Sequence, residues 1–276
     1  MTTTDIVQLL YLAASALFIL GLQSLGKADT ARRGVRFAEL GMALAVAGTL
    51  LHHEIVSYHW IVVSIVVGSA IGTAMGLFIP MVKMPERIAL SHAFGGLAVA
   101  LVGIAEHHRH GSHLGATALT AVGLEVFLGA LTFTGSLVAF GKLQGVVRGA
   151  PITWRAQNVL NLLGVALALG GVAYLVTAPA TPYLLLAILA VGLVLGVTLV
   201  LPVGGADMPV IICLLNAYAG LAAAATGFAL GNNVLIICGA LDGGSGLILG
   251  LMMSRAMINV LIICGALDGG SGLILG

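Results

Sequence analysis

Charge is scarce in this chain: only 8% of its 276 residues are Asp, Glu, Lys or Arg, against roughly 25% in soluble domains. Such a composition excludes an ordinary water-soluble globule. The net charge of +1 supplies no basic face for nucleic acid, so no nucleic-acid partner is expected. Cysteine is limited to Cys213, Cys238 and Cys264, all in apolar runs and without CxxC spacing. That pattern gives neither a disulfide framework nor a metal knuckle, and the three read as small core residues. No GxGxxG opens a βαβ unit and no GxxxxGK[ST] phosphate loop occurs, so no nucleotide site is expected in this chain. The opening run MTTTDIVQLLYLAASALFILG lacks the positive start and small-residue cleavage site of a secretory signal, and Asp5 to Leu25 therefore reads as a retained span.

What is abundant is apolar surface, at 60% of residues, and glycine, with 39 copies scattered through apolar runs. Small residues inside membrane helices let backbones approach closely. The expected fold class is all-α, a polytopic transmembrane helix bundle. A hydrocarbon core about 30 Å thick takes roughly 20 residues of helix. Windows of that length recur about nine times: Asp5 to Leu25, Val35 to Leu51, Tyr58 to Pro80, Glu86 to Ala105, Gly115 to Gly141, Gln157 to Thr177, Pro182 to Val203, Met208 to Leu230 and Asn233 to Met257.

Ten of the eleven basic residues follow odd-numbered spans: Lys27, Arg32, Arg33, Arg36, Lys83, Arg87, Lys142, Arg148, Arg155 and Arg255, with Arg109 the exception. Basic residues of short loops stay on the cytoplasmic side, which predicts an outside N-terminus and a cytoplasmic C-terminus. Asn233 to Gly250, NVLIICGALDGGSGLILG, returns unchanged as Asn259 to Gly276. Identity over eighteen residues marks a recent or artificial duplication rather than a diverged structural repeat. The expected organisation is a membrane domain over 1–258 and a non-native tail over 259–276.

A polar side chain at membrane depth is costly unless paired or wetted. Few residues pose that problem here: His92, Glu125, Asn216 and Asp242, with Ser91, Thr132, Thr134 and Ser136 able to assist. His92 is the one histidine of eight inside a long apolar segment; His52, His53, His59, His107, His108, His110 and His113 fall in or beside polar breaks. An imidazole titrates near physiological pH, so His92 is read either as a proton-exchanging group or as a packing hydrogen bond. Asn216 lies at a matching depth, where its amide can bond an imidazole or a bridging water, or glue two helices. Glu125 can carry protons toward His92 from the outer side, or sit protonated in packing. Ser136 can position the imidazole or bond back to its own helix. Asp207, followed by Met208 and Pro209, reads as a helix cap. Asp242, in the middle of span nine, faces water or a partner, or is an error of sequence.

Four runs together resemble the membrane domain of the β subunit of proton-translocating nicotinamide nucleotide transhydrogenase: SHAFGGLAVALVG at Ser91 to Gly103, EVFLGALTFTGSLVAFGKL at Glu125 to Leu143, GGADMPVIICLLNAYAGLAAAATGF at Gly204 to Phe228, and GALDGGSGLIL at Gly239 to Leu249. They cover about a quarter of the chain in the family's order. The resemblance implies hydride transfer from NADH to NADP in soluble domains, coupled to proton movement through this one. It places the family's membrane histidine on His92, its asparagine on Asn216, its serine on Ser136, its surface aspartate on Asp207 and its basic hinge residue on Arg255. NAD and NADP are then bound by partner domains, with none bound by this chain. The implied partners are α-subunit membrane helices with their NAD-binding domain, an NADP-binding domain downstream of span nine, and membrane lipid. A homodimeric complex in the inner (plasma) membrane is also implied. Asp242 departs from the family's apolar residue, and Ile258 with the repeat replaces the passage to the NADP domain. The rival readings are a secondary transporter for a small solute, with GALDGGSG as a discontinuous segment, a structural anchor, and a haem anchor, which needs two histidines at depth.

Overall fold

The computed structural model describes residues 3–51, 58–78, 80–111, 113–179 and 181–267, with side chains 3–4, 81, 182 and 257–267 aside. His52, His53, residues 268–276 and the Cys264 side chain lie outside the described residues. The described chain is helical throughout, in the order α1 Thr3–Leu25, α2 Ala31–Leu50, α3 His59–Phe78, α4 Met84–His110, α5 Ala116–Leu143, α6 Gln157–Thr177, α7 Pro182–Val200, α8 Met208–Leu230 and α9 Asn233–Leu267. Proline sits in the first turn of α4, α7 and α8, where its missing N–H breaks no hydrogen bond. α8 stops at Gly231, whose φ of 63° places it in the left-handed region, a common helix terminator.

Eight of the described helices are long and apolar enough to cross a membrane, and the chain is a multi-pass membrane protein. α2 falls short of that standard because Arg32, Arg33, Arg36 and Glu39 crowd its first turns. Two expected boundaries move. α4 continues past Ala105 to His110, so His107, His108, Arg109 and His110 belong to a helix rather than a break. α9 runs unbroken through Gly239 to Leu249 and on to Leu267, so GALDGGSG is no discontinuity of the kind the solute-transporter reading requires.

α5 is the axis of the bundle, packed against α4, α6, α7 and α8, while α1 pairs with α2 and touches α9. Its most apolar window is 67% buried, against none of the window of α3. Where α4 and α5 cross, glycine faces glycine: a Cβ on Gly96 would lie 2.8 Å from the Gly129 carbonyl oxygen. No larger residue allows backbones so near. The loop between α5 and α6 is pinned to the end of α7. Gln157 Nε2 donates to Thr198 O at 2.8 Å, and buried Lys142 donates Nζ to Val203 O at 2.7 Å and to Leu201 O. The lysine thereby satisfies carbonyls that a helix terminus leaves unpaired. Cys213 and Cys238 are half-buried rather than core residues.

Candidate functional site

The contact between α4 and α5 carries a file of buried polar atoms. On α5, Glu125, Thr132 and Ser136 are separated by seven and four residues, so they share one helical face and span roughly 16 Å at about 1.5 Å per residue. All three are fully buried. α4 runs past them with the inverse spacing, Gly103, Gly96 and His92. A Cβ on Gly103 would lie 2.8 Å from Glu125 Cγ, and one on Gly96 would lie 3.0 Å from Thr132 Cβ. The same register, one turn further, sets His92 level with Ser136.

These side chains are not satisfied by one another. His92 Nδ1, both carboxyl oxygens of Glu125, Thr132 Oγ1 and Ser136 Oγ are buried and make no hydrogen bond to a described protein group. Thr226 of α8 stands beside Glu125, but its hydroxyl is committed to Ala222 O at 3.1 Å. An unpaired buried polar group costs about 1–3 kcal/mol, so several in one line call for partners such as bridging water. The expectation that Ser136 bonds back to its own helix is therefore not met, because its face of α5 is turned into the α4 seam.

One member of the file was invisible as such in the sequence. His107 lies one turn beyond Gly103, and its Nε2 is likewise buried and without a partner. It falls among charged residues and so reads as a loop. Its place four residues from Gly103, itself opposite Glu125, is the periodicity that could have assigned it to the same face. Glu106 acts electrostatically on Glu125, and its Oε1 lies 2.9 Å from His110 Nδ1, from which it accepts when that nitrogen carries the proton.

Asn216 occupies a second seam. It and His92 each lie eight residues from the start of their helices, α8 and α4, about 12 Å along the axis, and those helices pack together. The hydrogen bond of the amide goes elsewhere: Asn216 Nδ2 donates to Asp242 Oδ1 of α9 at 3.0 Å. Asp242, expected to face water or a partner, is exposed and takes this bond as well. Gly246 makes room for the amide, since a Cβ there would lie 2.9 Å from Asn216 Nδ2.

The remaining sequence-predicted residues stay at the periphery. Asp207 precedes α8 and is exposed, but its side chain makes no capping hydrogen bond, so the capping expectation fails. The preceding turn, Gly205–Asp207, is already a 3-10 segment in which the Met208 N–H finds the Gly205 carbonyl. Arg255 is exposed on α9, thirteen residues beyond Asp242, and is not brought to the polar file.

Residues 7–260 match the family described as NAD(P) transhydrogenase beta subunit. Two curated relatives, each an NAD(P) transhydrogenase subunit beta of Rhodospirillum rubrum and one of them from a named strain, are 42% identical over 265 residues. The match takes in 92% of this chain and 56% of each relative, so the chain spans little more than half the length of the proteins it resembles.

Proposed function

This chain belongs to the NAD(P) transhydrogenase beta-subunit family, and on that premise we propose that it is the membrane part of a proton-translocating transhydrogenase. The observation that carries the reading is the file of unsatisfied buried groups along the α4 and α5 seam, at matching depth to Asn216. Protons reach Glu125 from the outer end, pass Thr132 and Ser136 and exchange on His92, which releases them inward. Asn216 governs which side His92 exchanges with. A protein reading of this kind needs a titratable group at depth, a chain of hydrogen-bonding partners and a switch; His92, the α5 hydroxyls and Asn216 fill those parts.

The nucleotides lie outside this chain. In this reading they belong to partner domains: an NAD-binding domain with the α subunit, and an NADP-binding domain in the remaining length that the relatives have. Hydride transfer there from NADH to NADP biases the membrane switch through Asp207, exposed just before α8, and Arg255, exposed on α9, as contacts for a docked domain. The coupling is reciprocal, each event shifting the equilibrium of the other. The same reading places the chain in the inner (plasma) membrane with the N-terminus outside, nine spans, residues 259–276 as a non-native tail, and a homodimer of the whole complex.

The test is His92→Leu in the complete enzyme, in inverted membrane vesicles. Proton uptake driven by hydride transfer run in reverse, from NADPH to NAD, is expected to be abolished, since no other described imidazole stands beside the polar file at that level. Uptake at the unaltered rate sinks the proposal.

A further inference from the structure

Asn216 stands on a border of α8. Cys213, Ala217 and Gly220 of that helix meet α9, while Leu215 meets Gly135 of α5. At about 100° per residue, Asn216 falls between these two faces. Its side chain reaches α9 on one side, and the helix that carries it also packs against α5 and α4. The amide has two different edges, an NH2 that donates and a carbonyl that accepts. Which edge faces which helix decides whether Asn216 accepts a proton-bearing group or donates to a bare one.

The partner on α9 makes that decision. Asp242 Oδ1 accepts from Asn216 Nδ2 at 3.0 Å, and a carboxylate can only accept. The NH2 edge is thereby held against α9 and the carbonyl edge is turned away from it. Gly246, one turn from Asp242, leaves the space in which the NH2 group lies. Asp242 is itself exposed in the middle of α9, a costly place for a carboxyl group in a membrane unless it is bonded. Its backbone oxygen also accepts from Ser245 Oγ at 3.0 Å, which ties the adjoining glycine-rich turn to the same point.

We propose that Asp242 is a positioning residue that orients the Asn216 amide, presenting its carbonyl as an acceptor on the side of the polar file. Asp242 carries no proton along the path in this scheme. The proposal rests on the relay reading given above.

Its test compares unaltered enzyme with D242N, D242L and H92L in vesicles carrying the complete complex, with proton uptake driven by hydride transfer as the readout and assembled enzyme quantified in each. D242N retains a carbonyl that accepts from Asn216 and is expected to keep at least about half of the uptake. D242L removes the acceptor and is expected to lose about tenfold, the rate equivalent of one hydrogen bond. If D242L does not assemble, D242A replaces it with the same expectation. Uptake by D242L within twofold of unaltered enzyme overturns the proposal. So does a loss in D242N equal to that in D242L, which would require a proton on residue 242 itself. H92L separates the two ideas: if H92L pumps normally the relay reading fails, whereas a dead H92L beside an active D242L removes only the role given to Asp242.

Discussion

α3 and α5 invert the rule of soluble proteins. α3 carries no charge and buries no residue of its apolar window, whereas α5, with Glu125 and Lys142 along its length, is the most buried of the described helices. In water the more apolar element is the one that hides. In lipid there is no gain in hiding it, and what must be enclosed is the helix with polar groups to satisfy. Between these two helices burial follows polarity, and the polar file lies on the one at the centre of the bundle.

The sharpest way to break that contrast is to put one bulky side chain on each helix. Gly129→Leu thrusts into the α4 backbone, where even a Cβ would lie 2.7 Å from the Gly96 carbonyl oxygen. It is expected to destabilise the bundle by about 3 kcal/mol or more, measured by denaturant unfolding in detergent, or to prevent assembly. A subtler change sharpens the contrast without breaking the fold. Ser136→Ala deletes a buried hydroxyl that has no partner to lose, so stability should stay within about 0.5 kcal/mol while hydride-driven proton uptake falls about tenfold. A fall in stability with unchanged uptake would assign Ser136 to packing. The smallest effect is expected on α3. Around Gly72 nothing lies within 4 Å of an added Cβ, and Gly72→Leu should change unfolding by less than about 0.5 kcal/mol. A large loss of assembled complex there would show that another subunit covers α3.

The helices were legible because each must supply a long apolar run, and His92, Glu125 and Asn216 because so few polar residues interrupt those runs. What could not be read was which polar group meets which. That Asn216 bonds Asp242 depends on the axial register of α8 against α9, set by Gly220, Gly243 and Gly246 in contact with the neighbouring backbone. No one-dimensional pattern records that register. His107 escaped for a different reason: the apolar signal ends at Ala105, but backbone hydrogen bonding carries α4 on for another turn into polar residues. The resemblance drew attention to Asp242 as a departure, and only the packing gave it a partner.

The glycine contact between α4 and α5 has a further consequence, for ion selectivity. With Gly96 against Gly129 and Gly103 against Glu125, the two backbones are already in touch beside the polar file, and helices this close cannot part to admit a hydrated sodium or potassium ion without losing their packing. A proton needs no such width, since it passes by exchange along hydroxyl, carboxyl and imidazole groups. On the proposed relay, discrimination between cations rests on the absence of side chains at three positions, and widening any of them would threaten the seal before it touched the chemistry.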